Sequence, residues 1–419
     1  MLNQNVAPWP SFTSAEIEAV SAVLSSGQVN YWTGDEGRTF EKEFAAWAET
    51  DHAIAVANGT VALDLALQGL GIGPGDEVVV TPRTFIASVS CVVNAGATPV
   101  FADVDRASGN ISAETIAAVL TPRTKAVIAV HLAGWPCDMD PIMELAAAHD
   151  LKIIEDCAQA HGTRYKGRSI GSIGHVAAWS FCQDKIMTTG GEGGMVTTND
   201  RDFWSRMWSF KDHGKSWDAV YSPAPAPGFK WVHESIGTNW RMLEMQAVIG
   251  RIQLARMAEW TQARNANSMA IHDALAPFSG EGGSIRLSDS RVADEAWDDG
   301  SVHAYYKYYA YVRPENLAAG WSRNRIVSEI VGQGVPCFQG SCSEVYREKA
   351  FDGTGWRPAE PLPVARELGE NSIMFLVHPT LSADDTQRAV KAIAEVLGQA
   401  ANDRLSGGAG EMHQRVLAD

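Results

Sequence analysis

With 419 residues, 45% of them apolar, the chain can fill one large hydrophobic core and a smaller second one, which excludes a disordered polymer. Its net charge of −16, with 34 Lys and Arg residues scattered along the chain, argues against nucleic-acid binding. The stretch MLNQNVAPWPSFTS has no basic start and no apolar run of signal length, and no segment offers about 18 unbroken apolar residues, so a cytoplasmic protein that does not engage membranes is expected. Cys91, Cys137, Cys157, Cys182, Cys337 and Cys342 form no CxxC pair and no zinc-type spacing, and reduced thiols are expected.

Thr13-Ser14-Ala15-Glu16 reads as a capping box, and Ile17, Val20, Val23 and Leu24 follow at helical spacing, so the chain is expected to open on an amphipathic helix. AIAVA (53–57) then reads as a strand, NGTVALDLALQGL as a turn into a helix, GIGPGD as a break and EVVVTP as the next strand. The cycle continues with FIASVSCVVNAG as helix, ATPVFADV as strand, AETIAAVL as helix, TKAVIAVHL as strand, DMDPIMELAAAHD as helix and LKIIED as strand. Short apolar runs alternating with helices predict an α/β fold with parallel strands covered on both faces. From 241 to 267 the pattern predicts one long helix leading to a second unit. HAYYKYYAYV (303–312) reads there as a single strand, IVSEIVGQG as a helix and DDTQRAVKAIAEVLGQA as a closing helix. The expected division is a large domain over 1–250, a smaller one over 251–400, and a polar tail over 401–419.

In such sheets ligands gather beyond the carboxyl ends of the strands. Asn58-Gly59-Thr60 opens a helix there, where free N–H groups can hold a phosphate, although an N-cap turn would read the same way. Phe85 follows the next strand, as a core ring or one near a ligand. Asp156 ends LKIIED, and a buried carboxylate needs a partner. In VAAWSFC, alternation sets Trp179 and Phe181 on one face and Ser180 and Cys182 on the other. Lys185 comes next, before the glycines of GGEGG; a nucleotide P-loop would place its lysine after them. An amine, a carboxylate and phosphate donors are what pyridoxal phosphate requires: a Schiff-base partner, a group that keeps the ring nitrogen protonated, and a phosphate cradle. Lys185, Asp156, and Gly59 and Thr60 with Ser180 fill these roles. Phe85 is placed to stack on the ring and Gln159 to reach its phenolic oxygen. His131, Cys157 and His161 lack metal-ligand spacing, so no metal is expected. Cys182 is given only a packing role.

The run IIEDCAQAHGTRYKGRSIGSIGHVAAWSFCQDKIMTTGGEGGMVTTND (153–200) closely resembles the DegT/DnrJ/EryC1/StrS family of sugar aminotransferases. NGT at 58–60, PRTFIAS at 82–88, DVD at 103–105, HLAGWPCDMD at 131–140, IGTNWRM at 236–242 and LVHPTLS at 376–382 add to the match, which spans roughly 10–400. The resemblance implies fold type I of the pyridoxal-phosphate enzymes: a mixed, mostly parallel sheet flanked by helices, plus a smaller C-terminal α+β domain. It implies that Lys185 carries the Schiff base, Asp156 pairs with the ring nitrogen, Gln159 approaches the phenolic oxygen, Gly59, Thr60 and Ser180 hold the phosphate, and Phe85 covers the ring. Asn239 matches a position that reaches the cofactor phosphate of a partner subunit, which implies a homodimer with sites at its interface. His378 matches a position near the substrate, with a turn histidine as the rival reading. His161 is divided between a place near the cofactor and a hydrogen-bonded loop.

By the same resemblance the reaction is a ping-pong transamination, with L-glutamate as donor and a nucleotide-linked keto-deoxysugar, first of all a 4-keto-6-deoxy sugar, as acceptor. Amination of a cyclitol ketone or of a 3-keto sugar, and sugar dehydration, are alternatives within enzymes. Some relatives that dehydrate carry histidine at the Schiff-base position, and this chain keeps lysine. A cofactor-binding regulator is the alternative of another class. The aromatic- and proline-rich link at 211–235 is longer than in many relatives, which leaves the sugar unspecified.

Overall fold

Strands that are apolar at nearly every position can only sit in a sheet covered on both faces. The structure, a computed structural model, describes residues 6–223, 229–288 and 299–401. Its large sheet contains β1 (His52–Val56), β2 (Glu77–Val80), β3 (Thr98–Phe101), β4 (Thr124–Val130) and β5 (Lys152–Asp156); a small hairpin, β6 (Arg164–Tyr165) with β7 (Arg168–Ser169), stands apart, and β8 (Val176–Ser180) and β9 (Gly194–Thr198) complete it. The spatial order is β1-β9-β8-β5-β4-β2-β3. Neighbours run parallel from β8 through β5, β4 and β2 to β3, while β9 is antiparallel to both β1 and β8. The sheet is therefore mixed and mostly parallel.

Ten helices frame this sheet or lead away from it: α1 (Ser14–Ser26), α2 (Glu36–Ala48), α3 (Gly59–Leu70), α4 (Ala87–Asn94), α5 (Ala113–Ala117), α6 (Met139–His149), α7 (Arg201–Lys211), α8 (Trp217–Tyr221), α9 (Glu244–Leu254) and α10 (Met257–Leu275). Alternation along the strands divides their side chains between two cores. In β5, Ile153 joins Phe40 and Phe44 of α2 and Ile142 of α6 on one face. Ile154 joins Leu63 and Leu65 of α3, Val89 of α4 and Trp208 of α7 on the other. Phe44 packs its ring against Phe40, Trp47, Trp179 and Phe181 at centroid distances of 5.2 to 5.8 Å. A phenylalanine buried this way contributes roughly 1.5–3 kcal/mol by transfer from water.

The capping box at Thr13 and Glu16 forms as expected and starts α1. The single helix expected over 241–267 is two, because the chain turns at Ala255 and Arg256. There the Arg256 guanidinium reaches back 2.8 Å to the Glu16 carboxylate. Along α10, Trp260 belongs to the core of the large sheet and Ile271 and Leu275 to a separate core, so this helix carries the chain from one to the other. That second core lies on an antiparallel sheet of order β10 (Ile285–Leu287), β11 (Tyr308–Val312), β13 (Ser372–Phe375), β12 (Cys337–Phe338). It is covered by α11 (Arg323–Gly332) and α13 (Ala383–Ala400), with α12 (Pro363–Asn371) leading into β13.

The run 303–312 is not one strand. Tyr305 sits at φ 44°, in the left-handed region, and pairing with β13 begins only at Tyr308. Before that, Ala304 and Tyr306 donate their N–H groups to the carbonyls of Gly134 and Ala133, in the loop after β4. The acceptors of the Ala304 and Tyr306 N–H groups thus belong to the large sheet's ligand edge. The expected tail lies almost wholly outside the described residues, as do 224–228 of the 211–235 link. Among the described residues no helix is long and apolar enough to cross a membrane.

Candidate active site

The segments that follow β1, β2, β4, β5 and β8 meet at the carboxyl edge of the large sheet, where β9 also starts: Gly194 pairs with both Val56 and Ser180. Close approach there depends on absent side chains. A Cβ on Gly59 would come within 2.5 Å of the Ser180 Cβ, and one on Gly194 would collide with the Asn58 carbonyl oxygen. The Asn58 side chain accepts from Val61 N–H and caps α3. The first N–H groups of a helix have no acceptor within it, so those of Gly59 and Thr60 are available beside the Ser180 hydroxyl. This corner suits a phosphate.

Asp156 ends β5 in the middle of the sheet, 5% exposed. One carboxylate oxygen accepts from the Ser88 hydroxyl at 2.7 Å and the other from Ala158 N–H at 3.1 Å. Among the described residues no Lys, Arg or His pairs with it, so a buried carboxylate is held by two neutral donors and retains capacity for a cation. A protonated pyridine nitrogen is such a group. Nearby, the Gln159 side-chain oxygen accepts from Ala133 N–H at 2.8 Å, which leaves its NH2 end for a ligand oxygen.

Lys185 lies in the turn after β8, its side chain only 16% exposed. The turn is held by Lys185 N–H on the Cys182 carbonyl at 3.0 Å, and the Trp9 indole donates to the Lys185 carbonyl at 2.8 Å. Its ammonium stands 3.8 Å from Asp184 and 5.2 Å from the centroid of the Tyr306 ring. The Tyr306 hydroxyl donates to the same Asp184 carboxylate. Trp179 and Phe181 pack into the core while Ser180 turns to Gly59, as alternation requires. An amine, a carboxylate with no cationic partner among the described residues, and a phosphate corner thus share one edge of the large sheet.

The DegT/DnrJ/EryC1/StrS aminotransferase family matches residues 10–394. The chain belongs to this family. It is 46% identical over 373 residues to a GDP-perosamine synthase of Caulobacter vibrioides, covering 87% of this chain and 92% of that protein. A dTDP-3-amino-3,4,6-trideoxy-alpha-D-glucose transaminase of Streptomyces venezuelae is 36% identical over 377 residues, 90% of each chain. The X-ray structure of an aminotransferase from Psychrobacter cryohalolentis superposes with a TM-score of 0.91 at 63% identity, covering 94% of this chain and 99% of that one. The chain is therefore an aminotransferase of fold type I that works with pyridoxal phosphate, a cofactor its strand-edge residues fit.

The remaining residues expected at the site of this DegT-family aminotransferase take varied places. Thr60 is exposed at the start of α3. Phe85 lies beyond β2 with 67% of its surface exposed, at the rim instead of in the core. Asn239 is also exposed; its segment runs beside the end of β1, where Trp240 accepts from Ala57 N–H. His161 is fully buried, and neither ring nitrogen has a partner among the described residues. Its ring rests against Trp179 and Phe181 at 5.3 and 5.7 Å, which overturns the hydrogen-bonded-loop reading. His378 stacks on Trp9 at 6.1 Å and meets the Thr380 hydroxyl at 2.9 Å, so one bridging indole links it to the Lys185 backbone. Cys182 is half-buried, 3.8 Å from Glu192.

Burial pushes the His161 ring down to about 3, with the charges of Lys185 and Arg264 acting the same way. Burial likewise holds His303 at about 3, and His378 at about 3 with help from Arg264 and Lys307. All three are neutral in the folded protein, while in the unfolded chain each titrates near 6.5. As pH falls below about 6.5 the unfolded state takes up protons the folded state refuses, so stability declines down to about pH 3, by up to ~1.4 kcal/mol per pH unit per histidine. Urea midpoints are expected to drop steadily between about pH 6.5 and 5, and less steeply in a His161→Phe/His303→Phe double variant. A midpoint that stays flat over that range contradicts the neutral assignment.

His131, Glu155 and Cys157 lie close enough to suggest a metal site. The donors are engaged otherwise: His131 accepts from Cys137 N–H at 3.0 Å and so donates its other ring N–H to Glu155 at 3.1 Å. Glu155 also accepts from the N–H groups of Gly171, Ile173 and Gly174. His131 and Glu155 form a hydrogen-bonded brace between the loop after β4 and the 171–174 turn before β8, and Cys157 packs in the core. Sequence reasoning missed Ser88, Trp9, Asp184 and Tyr306. Only Asp184 carried a signal, as the neighbour of Lys185.

Proposed function

We propose that this aminotransferase moves an amino group from L-glutamate to the ketone of a nucleotide-linked keto-deoxysugar, first of all a 4-keto-6-deoxy sugar, in amino-sugar biosynthesis. The observation that carries the reading is that the Lys185 amine, after β8, and the Asp156 carboxylate, at the end of β5 with no cationic partner among the described residues, lie at the same edge of the large sheet. Bound pyridoxal phosphate supplies an aldehyde for the exchanging amine and an electron sink for the substrate carbon. In this reading Asp156 keeps the ring nitrogen protonated, Gly59 and Thr60 N–H with the Ser180 hydroxyl hold the phosphate, and the Gln159 NH2 group orients the ring through its phenolic oxygen. Phe85 closes over one ring face.

Lys185 Nζ would hold the cofactor at rest; when free, it would take a proton from the donor's amine-bearing carbon in one half-reaction and deliver one to the sugar carbon in the other. Asp184, anchored by Tyr306, draws the Lys185 amine to one side and sets its approach. His161 and His378, neutral by burial, stand near the substrate without adding charge. Exposed Asn239 supports a homodimer in which each subunit completes the other's phosphate site. Similarity to a GDP-perosamine synthase supports a nucleotide-linked sugar; similarity to a dTDP-3-amino-sugar transaminase favours, as a second reading, amination at C3.

The test is a panel of GDP-, dTDP- and UDP-linked 4-keto and 3-keto deoxysugars incubated with L-glutamate and the holoenzyme. Release of 2-oxoglutarate that depends on one keto sugar is expected. Release with a cyclitol ketone alone, or with none of the sugars, overturns the sugar reading.

A further inference from the structure

Beside Lys185 the fold gathers more positive charge than its own residues neutralise. Lys307 follows Tyr306, and its ammonium lies 4.7 Å from the centroid of the ring that Lys185 faces from 5.2 Å. The two amines are therefore no farther apart than the sum of those distances. Among the described residues Lys307 makes no hydrogen bond or ion pair. Behind it Arg264 of α10 is 1% exposed, with its guanidinium 5.1 Å over the Trp9 ring. One of its nitrogens reaches the carbonyls of Tyr305 and Tyr306, each at 3.4 Å, while Nε and the other terminal nitrogen have no partner among the described residues.

The opposing charge is small. Asp184 faces this group and is already shared between Lys185 and the Tyr306 hydroxyl. Asp385, which faces His378, is taken by Ser382 and Arg388. His161 and His378 are neutral. Besides the reactive Lys185, two cations thus share one carboxylate in an enclosed region, where unpaired charge is costly. Enclosure, then Arg264, pushes Lys307 down to about 8, a cost that an anionic ligand would remove. The phosphate corner belongs to the β1–α3 turn and β8, so the cofactor's phosphate is provided for elsewhere.

We propose that Lys307, backed by Arg264, receives a carboxylate of the amino donor. The assignment rests on the transamination reading above. A nucleotide diphosphate is also anionic, but it is attached at the far end of the hexose from a C4 ketone. A donor carboxylate belongs to the small molecule whose amine exchanges with Lys185, and the two lysines flank one tyrosine ring. Lys307 is then a specificity residue, and Arg264 a positioning residue that supplies field from behind it.

The test titrates glutarate, a dicarboxylate with no amine to transfer, and separately GDP and dTDP, into the holoenzyme by calorimetry. A Lys307→Met variant is expected to lose about tenfold or more in glutarate affinity, as for a lost charge-assisted hydrogen bond. Its nucleotide affinities are expected to stay unchanged, its KM for L-glutamate to rise with kcat little altered, and Lys307→Arg to recover most of the glutarate affinity. The visible band of the bound cofactor checks that both variants fold. Equal glutarate binding by wild type and Lys307→Met overturns the assignment, and a loss confined to GDP or dTDP moves the site to the diphosphate. A wild-type holoenzyme that neither binds glutarate nor forms 2-oxoglutarate from glutamate fails earlier, on the donor itself.

Discussion

Lys185→Arg is expected to lower turnover by about three orders of magnitude or more while leaving the fold and nucleotide-sugar binding intact. Arginine keeps the positive charge beside Asp184 and Tyr306, so the local electrostatics that hold the turn after β8 persist. It cannot release its proton near neutral pH, whereas the proposed role of Lys185 requires an amine that is deprotonated and returns the proton to carbon. Steady-state release of 2-oxoglutarate, with thermal unfolding as the control for folding, checks this. Activity within tenfold of wild type contradicts the role.

Asp156→Asn is expected to cost roughly 10²- to 10⁴-fold in kcat with little loss of stability. The amide keeps the shape of the carboxylate, can accept from Ala158 N–H, and can donate to the Ser88 hydroxyl, so both local contacts survive. Only the negative charge goes, and with it the means of keeping a ring nitrogen protonated. Because the carboxylate is buried without a cationic partner among the described residues, its removal from the cofactor-free protein is expected to be neutral or mildly stabilising. Rapid-mixing measurement of the half-reaction with glutamate, beside unfolding of the cofactor-free protein, separates the two effects. Unchanged kcat, or a large loss of stability, means that Asp156 serves the fold instead.

The parallel strands were legible because they are buried on both faces, and such runs leave an apolar signature that surface strands lack. The strand-edge places of Asp156, Gln159, Ser180, Gly59 and Thr60 were legible for a related reason: they sit at strand ends or in the few residues after them, where local sequence locates them. Tyr306 and Lys307 were hidden inside a tyrosine-rich run that reads as one strand. β-Propensity does not record that Ala304 and Tyr306 give their N–H groups to the loop after β4, more than 160 residues earlier. Arg264 was hidden for another reason: the helical pattern of its segment does not show that its guanidinium ends among Trp9, Tyr305 and Tyr306. The break between α9 and α10 depends on Arg256 reaching Glu16 of α1, and neither residue's local pattern announces it.

The most direct test is reduction of the purified holoenzyme with borohydride, followed by peptide mapping. The visible band is expected to disappear and the reduced pyridoxyl group to be found on the peptide bearing Lys185. A pyridoxyl group on Lys307, on Lys211 or on any other lysine, with Lys185 unmodified, would contradict the placement of the chemistry at the end of β8.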